Sequence, residues 1–174
     1  LDRAVGQAMS ALSAAAKKGL GDPALAELVV IRASQINHCA FCLDMHLTIA
    51  REHGVSEKQL DLLAAWEEAG DDVFDERERA ALALTEAVTV LTDGYVPDTV
   101  YERAAEHFDE GQLAHLLGLI VAINNWNRVM VSRRIPPGDS ESAKGEAAVR
   151  GRAAGDADGC SPESVGSRRV AKWA

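Results

Sequence analysis

Two thiols, and an imidazole one turn beyond the second, fall within one short stretch, "INHCAFCLDMH", residues 36–46, which also holds His38. Cys39, Cys42 and His46 are spaced three and then four, so on a helix all three project from one face in successive turns. His46, one turn beyond Cys42, can accept its proton. Cys39, near the start of such a helix, lies at the positive end of the helix dipole. Both effects favour thiolate, the form that attacks peroxides and disulfides. Three chemistries are open to this set: a dithiol–disulfide couple, a metal site, or a buried structural trio. Zinc wants a fourth ligand, and a second Cys or His pair is missing; His53 lies two turns further on and Asp44 on the wrong side of the helix. A c-type haem site would need His where Leu43 stands.

Glu27 is the fourth candidate, an ionisable residue among Leu25, Leu28, Val29 and Ile31. If buried, its carboxylate requires a partner. An antiparallel packing of its helix on the thiol helix brings Glu27 to His46; otherwise Glu27 points to water near a helix start.

The elements that must position these groups read as an all-α domain of six to seven helices. No stretch shows the sustained apolar/polar alternation of a half-buried strand. A first amphipathic helix with Val5, Met9 and Leu12 on one face stops at "GLGD". Asp22 followed by Pro23 opens a second, running toward Gln35. Asn37 is the expected cap of the third, thiol-bearing helix, which ends at Gly54. Ser56 with Gln59 and Asp75 with Glu78 form capping boxes for the fourth and fifth helices. The fifth carries Ala81, Leu84, Val88 and Leu91 and closes at Gly94. A sixth starts near Pro97, and Asp109 with Gln112 opens a seventh that "IPPG" stops.

The seventh helix is apolar around most of its circumference from Leu113 to Ile123, which predicts burial on several sides and, in so thin a chain, contact with another subunit. The boundaries expected are one helical domain over 1–135 and a disordered, low-complexity tail over 136–174. That tail is rich in Gly, Ser and Arg, and contains Cys160 as an uninvolved thiol and Trp173 near its end.

With 174 residues and a formal charge of −9, the chain would repel a nucleic-acid backbone over most of its surface. Its longest apolar run is too short to cross a bilayer. Three cysteines in an acidic chain of this length do not make a disulfide-stapled secreted module, so the cytoplasm is the expected compartment.

Taken with its flanks, "ELVVIRASQINHCAFCLDMH" resembles the core motif of the alkylhydroperoxidase D family, within the carboxymuconolactone decarboxylase-like superfamily. The likeness continues through "LLAAW", "ERERAALALTEAVTV" and "AINNWNR", and so covers about residues 5–134. The resemblance implies a thiol peroxidase needing no prosthetic group or metal. In it Cys42 attacks a hydroperoxide, Cys39 resolves the product into a disulfide, and His46 moves the proton with Glu27 holding the imidazole. It also implies recycling by an external dithiol, either a lipoyl-bearing protein or a thioredoxin-like partner, and assembly as a hexamer, trimer or dimer. Where fuller members carry a second histidine between the cysteines this chain has Phe41, with His38 just before Cys39 instead. Lactone decarboxylases of the superfamily lack the cysteine pair. The alternatives are a thiol–disulfide oxidoreductase or redox sensor acting on a protein, and an oligomeric scaffold with a vestigial site. Glu86, Asn127 and Arg128 read as hydrogen-bonding residues of the helices, not as catalytic ones.

Overall fold

A computed structural model describes residues 1–138, and among them every regular element is helical. α1 (Arg3–Leu20) starts on Asp2, whose carboxylate accepts the amides of Ala4 and Val5, and stops at Gly21 with φ +71°. α2 (Pro23–Ile36) starts on Asp22 with Pro23 in its first turn. α3 (Ala40–Glu52) carries the thiols and is followed by Gly54 at φ +83°. α4 (Glu57–Leu62) passes into a short 3-10 turn over Leu63–Ala65. α5 (Glu76–Thr89), α6 (Asp98–His107) and α7 (Glu110–Ser132) complete the chain. The capping boxes at Ser56/Gln59, Asp75/Glu78 and Asp109/Gln112 are all formed. No helix among the described residues is long and apolar enough to cross a membrane.

α2 is the hub. Residues Leu25 to Ile31 are all buried, and the helix packs against α1, α3, α5 and α7. Its faces serve two cores. Leu25, Val29, Val30 and Ala33 join Leu116, Leu119 and Ile120 of α7, while Leu28 and Ile31 join Leu63, Trp66, Phe74 and Leu82. A helix apolar on both sides can sit only in the middle of a bundle.

Two expectations are corrected here. On α1, Val5 is 48% and Leu12 40% exposed, and the buried residues are Ala16 and Leu20. The helix is held late, where it lies along α7 and Gly19 admits the His115 ring to within contact of its backbone. Asn37 does not cap α3. It ends α2, and its amide donates to Ala33 O, Asn124 Oδ1 and Asn127 Oδ1 at 3.0 Å each. Cys39 takes the N-cap position instead, without a side-chain cap bond. The Leu113–Ile123 segment is buried on several sides, as expected, because α1, α2 and α5 surround it; Val121 is left 45% exposed. The tail expectation concerns 136–174, of which 139–174 lie outside the described residues, as do Cys160 and Trp173.

Candidate functional site

Helices α2 and α3 pack face to face across the short 37–39 connection, and this brings the four predicted residues together. Glu27, 1% exposed, presents Oε2 to Nδ1 of His46 at 2.7 Å. One turn before His46, Cys42 is 2% exposed. Its Sγ lies 2.9 Å from the Sγ of Cys39, and both cysteines are free thiols. His46 makes no hydrogen bond to either sulfur; its Nδ1 is taken up by Glu27.

A fifth residue joins them that the sequence reasoning passed over. Lys17 of α1 donates its ammonium to Oε1 of Glu27. The carboxylate is thus gripped on one oxygen by lysine and on the other by histidine. Burial alone would push Glu27 up, but the hydrogen bonds and charges of His46 and then Lys17 outweigh it and hold the carboxyl below its ordinary value. The signal for Lys17 was present. It stands one turn after Ser13 and beside Ala16 and Leu20, and it was missed because the apolar stripe of Val5, Met9 and Leu12 runs on through Ala16 and leaves Lys17 at its edge, where nothing local marks a buried partner.

The sulfur electrostatics reverse the expectation of a resting thiolate. Burial, followed by the hydrogen bond and charge of Cys39, pushes the Cys42 thiol up to about 12, against a weaker opposing pull from the Asn127 amide. At neutral pH Cys42 is a thiol, and a base must take its proton as it reacts. Asn127 is fully buried, donates to Ser34 Oγ at 3.0 Å and accepts from Asn37. Its expected role as a buried hydrogen-bonding residue holds, with contact to the thiol site added. Glu86 pairs with Arg32 Nε and Trp66 Nε1, each at 2.7 Å, and Arg128 donates to Asn124, so both are tied into the helices away from the sulfurs.

A cavity of about 430 Å³ opens onto Cys42, His46 and Lys17. Its remaining walls are mainly apolar, with Val30, Met45, Leu119, Ile123, Trp126 and Met130 prominent. Reactants entering it meet a thiol, an imidazole and an ammonium at the polar end and hydrocarbon elsewhere. No group of three His, Cys, Asp or Glu among the described residues could hold a metal ion.

A model of the carboxymuconolactone decarboxylase family matches residues 3–87, a span that includes all five of these residues. YdfG of Bacillus subtilis, an uncharacterized protein, is 44% identical over 106 residues, which are 61% of this chain and 71% of that protein. YnjA of Escherichia coli, also uncharacterized, is 37% identical over 116 residues, 66% of this chain and 62% of that one. The crystal structure of ATU0492 from Agrobacterium tumefaciens, a protein of unknown function proposed to be the antioxidant defence protein AhpD, is similar at a TM-score of 0.73. Its sequence identity is 34%, and the match covers 76% of this chain and 90% of that one.

Proposed function

Because the chain belongs to the carboxymuconolactone decarboxylase family, as a member of its alkylhydroperoxidase D-like kind, we propose that it is a thiol peroxidase that reduces hydroperoxides through a Cys39/Cys42 dithiol–disulfide cycle. The observation that carries this reading is the shared cavity. The Glu27-bound His46 and the Cys42 thiol line the same apolar pocket, and Cys39 lies 2.9 Å behind Cys42.

His46 donates its Nδ1 proton to Glu27, which leaves Nε2 as the basic nitrogen. On the approach of a hydroperoxide, His46 takes the Cys42 proton and the sulfur attacks the terminal peroxide oxygen. The O–O bond breaks, the leaving alkoxide takes a proton and departs as alcohol, and Cys42 becomes a sulfenic acid. The Cys39 thiol then attacks that sulfur, and water leaves as the disulfide forms. A thiol held protonated until a base and a substrate are both present is protected from indiscriminate oxidation. Lys17 serves the cycle by keeping Glu27 ionised in the core.

Two electrons from an external dithiol, a lipoyl-bearing or thioredoxin-like protein, reset the pair. We further propose a single helical unit over residues 1–135, self-association, and a reducing compartment such as the cytoplasm. Stopped-flow mixing of the reduced protein with hydrogen peroxide, cumene hydroperoxide and a lipid hydroperoxide tests the reading. Disulfide formation at a rate well above that of a free thiol supports it. Oxidation no faster than free cysteine, with rapid exchange against a protein disulfide, would favour the oxidoreductase alternative.

A further inference from the structure

Two cavities reach the cysteine pair from different sides. The first holds Cys42 and His46. The second, of about 230 Å³, is lined by Cys39, His38, Arg134, Val131 and Ile135. Phe41 and Met130 line both, so these two side chains form the wall between them.

The second cavity lies where the ends of α2 and α7 come together, and the two ends are built alike. At the end of α2 the Cys39 amide donates to Ser34 O and the His38 amide to Gln35 O. At the end of α7 the Ile135 amide donates to Met130 O and the Arg134 amide to Val131 O. Each is the paired-bond helix terminus in which one residue turns left-handed, a place glycine takes without strain. The end of α3 uses Gly54 for this purpose. Here the left-handed residues are His38 at φ +52° and Arg134 at φ +56°. Both are exposed, and among the described residues no Asp or Glu lines the cavity although the chain carries a formal charge of −9. Strained positions holding functional side chains recur at binding sites, and two of them face one small cleft.

We propose that this second cavity is the entrance for the reductant, and that it admits a thiol bearing an anionic group, which Arg134 attracts while His38 stands beside the sulfur under attack. The inference deepens the peroxidase reading and rests on it only for the existence of a Cys39–Cys42 disulfide. Exchange requires the incoming sulfur to approach along the S–S bond from the side opposite the leaving sulfur. A cleft that reaches Cys39 and excludes Cys42 provides that approach. The incoming thiol gives its proton to His38 and its sulfur bonds to Cys39. The S–S bond to Cys42 breaks, and Cys42 leaves as thiolate into the first cavity, where it takes a proton from solvent, while His38 returns to solvent the proton it accepted. A second thiol then attacks the bound reductant's sulfur, releasing Cys39 and carrying away the new disulfide, so that two electrons enter the protein in all. Peroxide and reductant thus use separate doors.

The test begins from disulfide formed with diamide, which makes it independent of any peroxide reaction. Oxidised protein is mixed with 2-mercaptoethanesulfonate or with neutral 2-mercaptoethanol at matched thiolate concentration, quenched in acid, and the mixed disulfide is mapped by mass spectrometry. The adduct is expected on Cys39, with the anionic thiol faster by about fivefold, the scale of one exposed charge pair. Arg134→Gln should remove the preference and Arg134→Lys restore it. Val131→Trp, which fills the cleft, should slow both thiols, and His38→Asn should slow both at neutral pH but less so where the thiol is already ionised. An adduct on Cys42, or an anionic preference that is absent or survives in Arg134→Gln, would overturn the proposal and leave Arg134 as a helix cap. Failure of hydroperoxide to form the disulfide bears on the peroxidase reading alone.

Discussion

The ammonium of Lys17 closes on the Glu27 carboxylate from the next helix, on the oxygen that His46 leaves free. A carboxylate 1% exposed keeps its charge in such a place only with partners on both oxygens. Lys17 is 34% exposed, so it also keeps part of its hydration, and the pair is weaker than a wholly buried one.

Removing Lys17 should therefore cost both stability and chemistry. Lys17→Met is expected to lower the unfolding free energy by about 1–3 kcal/mol, below the full penalty for breaking a buried pair. It should also slow peroxide reduction at neutral pH. Lys17→Arg should recover most of both, because it retains the charge. Urea denaturation and stopped-flow rates on the two variants check this.

Glu27 and His46 make a directional claim about pH. In Glu27→Gln and His46→Gln the base loses its anchor or is absent, so peroxide reactivity at neutral pH should fall strongly and recover in part as pH is raised and Cys42 ionises unaided. For stability the sign runs the other way. The folded carboxyl of Glu27 is held below its ordinary 4.5, so its contribution is present above that value and is lost as pH falls below it. Acid unfolding should begin at higher pH in the native chain than in a Glu27→Gln chain of matched starting stability.

Cys42 offers a second titration. With the thiol pushed up from 9.0 to about 12, iodoacetamide should label it slowly at pH 7, and faster by about tenfold per pH unit into the alkaline range. The protonated thiol is the favoured folded form, so its contribution to stability is whole below pH 9.0 and is lost as pH rises toward about 12. Cys42→Ser should flatten that alkaline decline.

Self-association should survive truncation at Ile135, because the most exposed apolar residue of the α7 core segment, Val121 at 45%, lies on α7 itself. Val121→Glu should reduce the assembly size in sedimentation, while the shortened chain elutes at the same multiple of its own mass.

The helix boundaries were legible wherever a short-range device set them. Ser56/Gln59, Asp75/Glu78 and Asp109/Gln112 each needed only four residues to declare a start. The spacing from Glu27 to His46 likewise carried the meeting of α2 with α3. What was hidden depended on packing between distant segments. Nothing near Lys17 in the sequence marks a buried partner, because only the packing of α1 on α2 brings it to Glu27. Asn37 looked like a cap until its amide was found joined to Asn124 and Asn127, some ninety residues on. The Cys42 thiol looked activated because helix position and a neighbouring histidine are readable locally, whereas the burial that dominates it is a property of the whole bundle.

The roles of the two sulfurs test the account most directly. Reduced Cys42→Ser and Cys39→Ser proteins are each mixed with one equivalent of cumene hydroperoxide, and the sulfenic acid is trapped with dimedone and mapped by mass spectrometry. Cys39→Ser is expected to react once and carry the adduct on Cys42, while Cys42→Ser consumes no peroxide. A single turnover kept by Cys42→Ser and lost by Cys39→Ser would contradict the account, because Cys39 would then be the attacking sulfur and the Glu27–His46 pair would serve some other step.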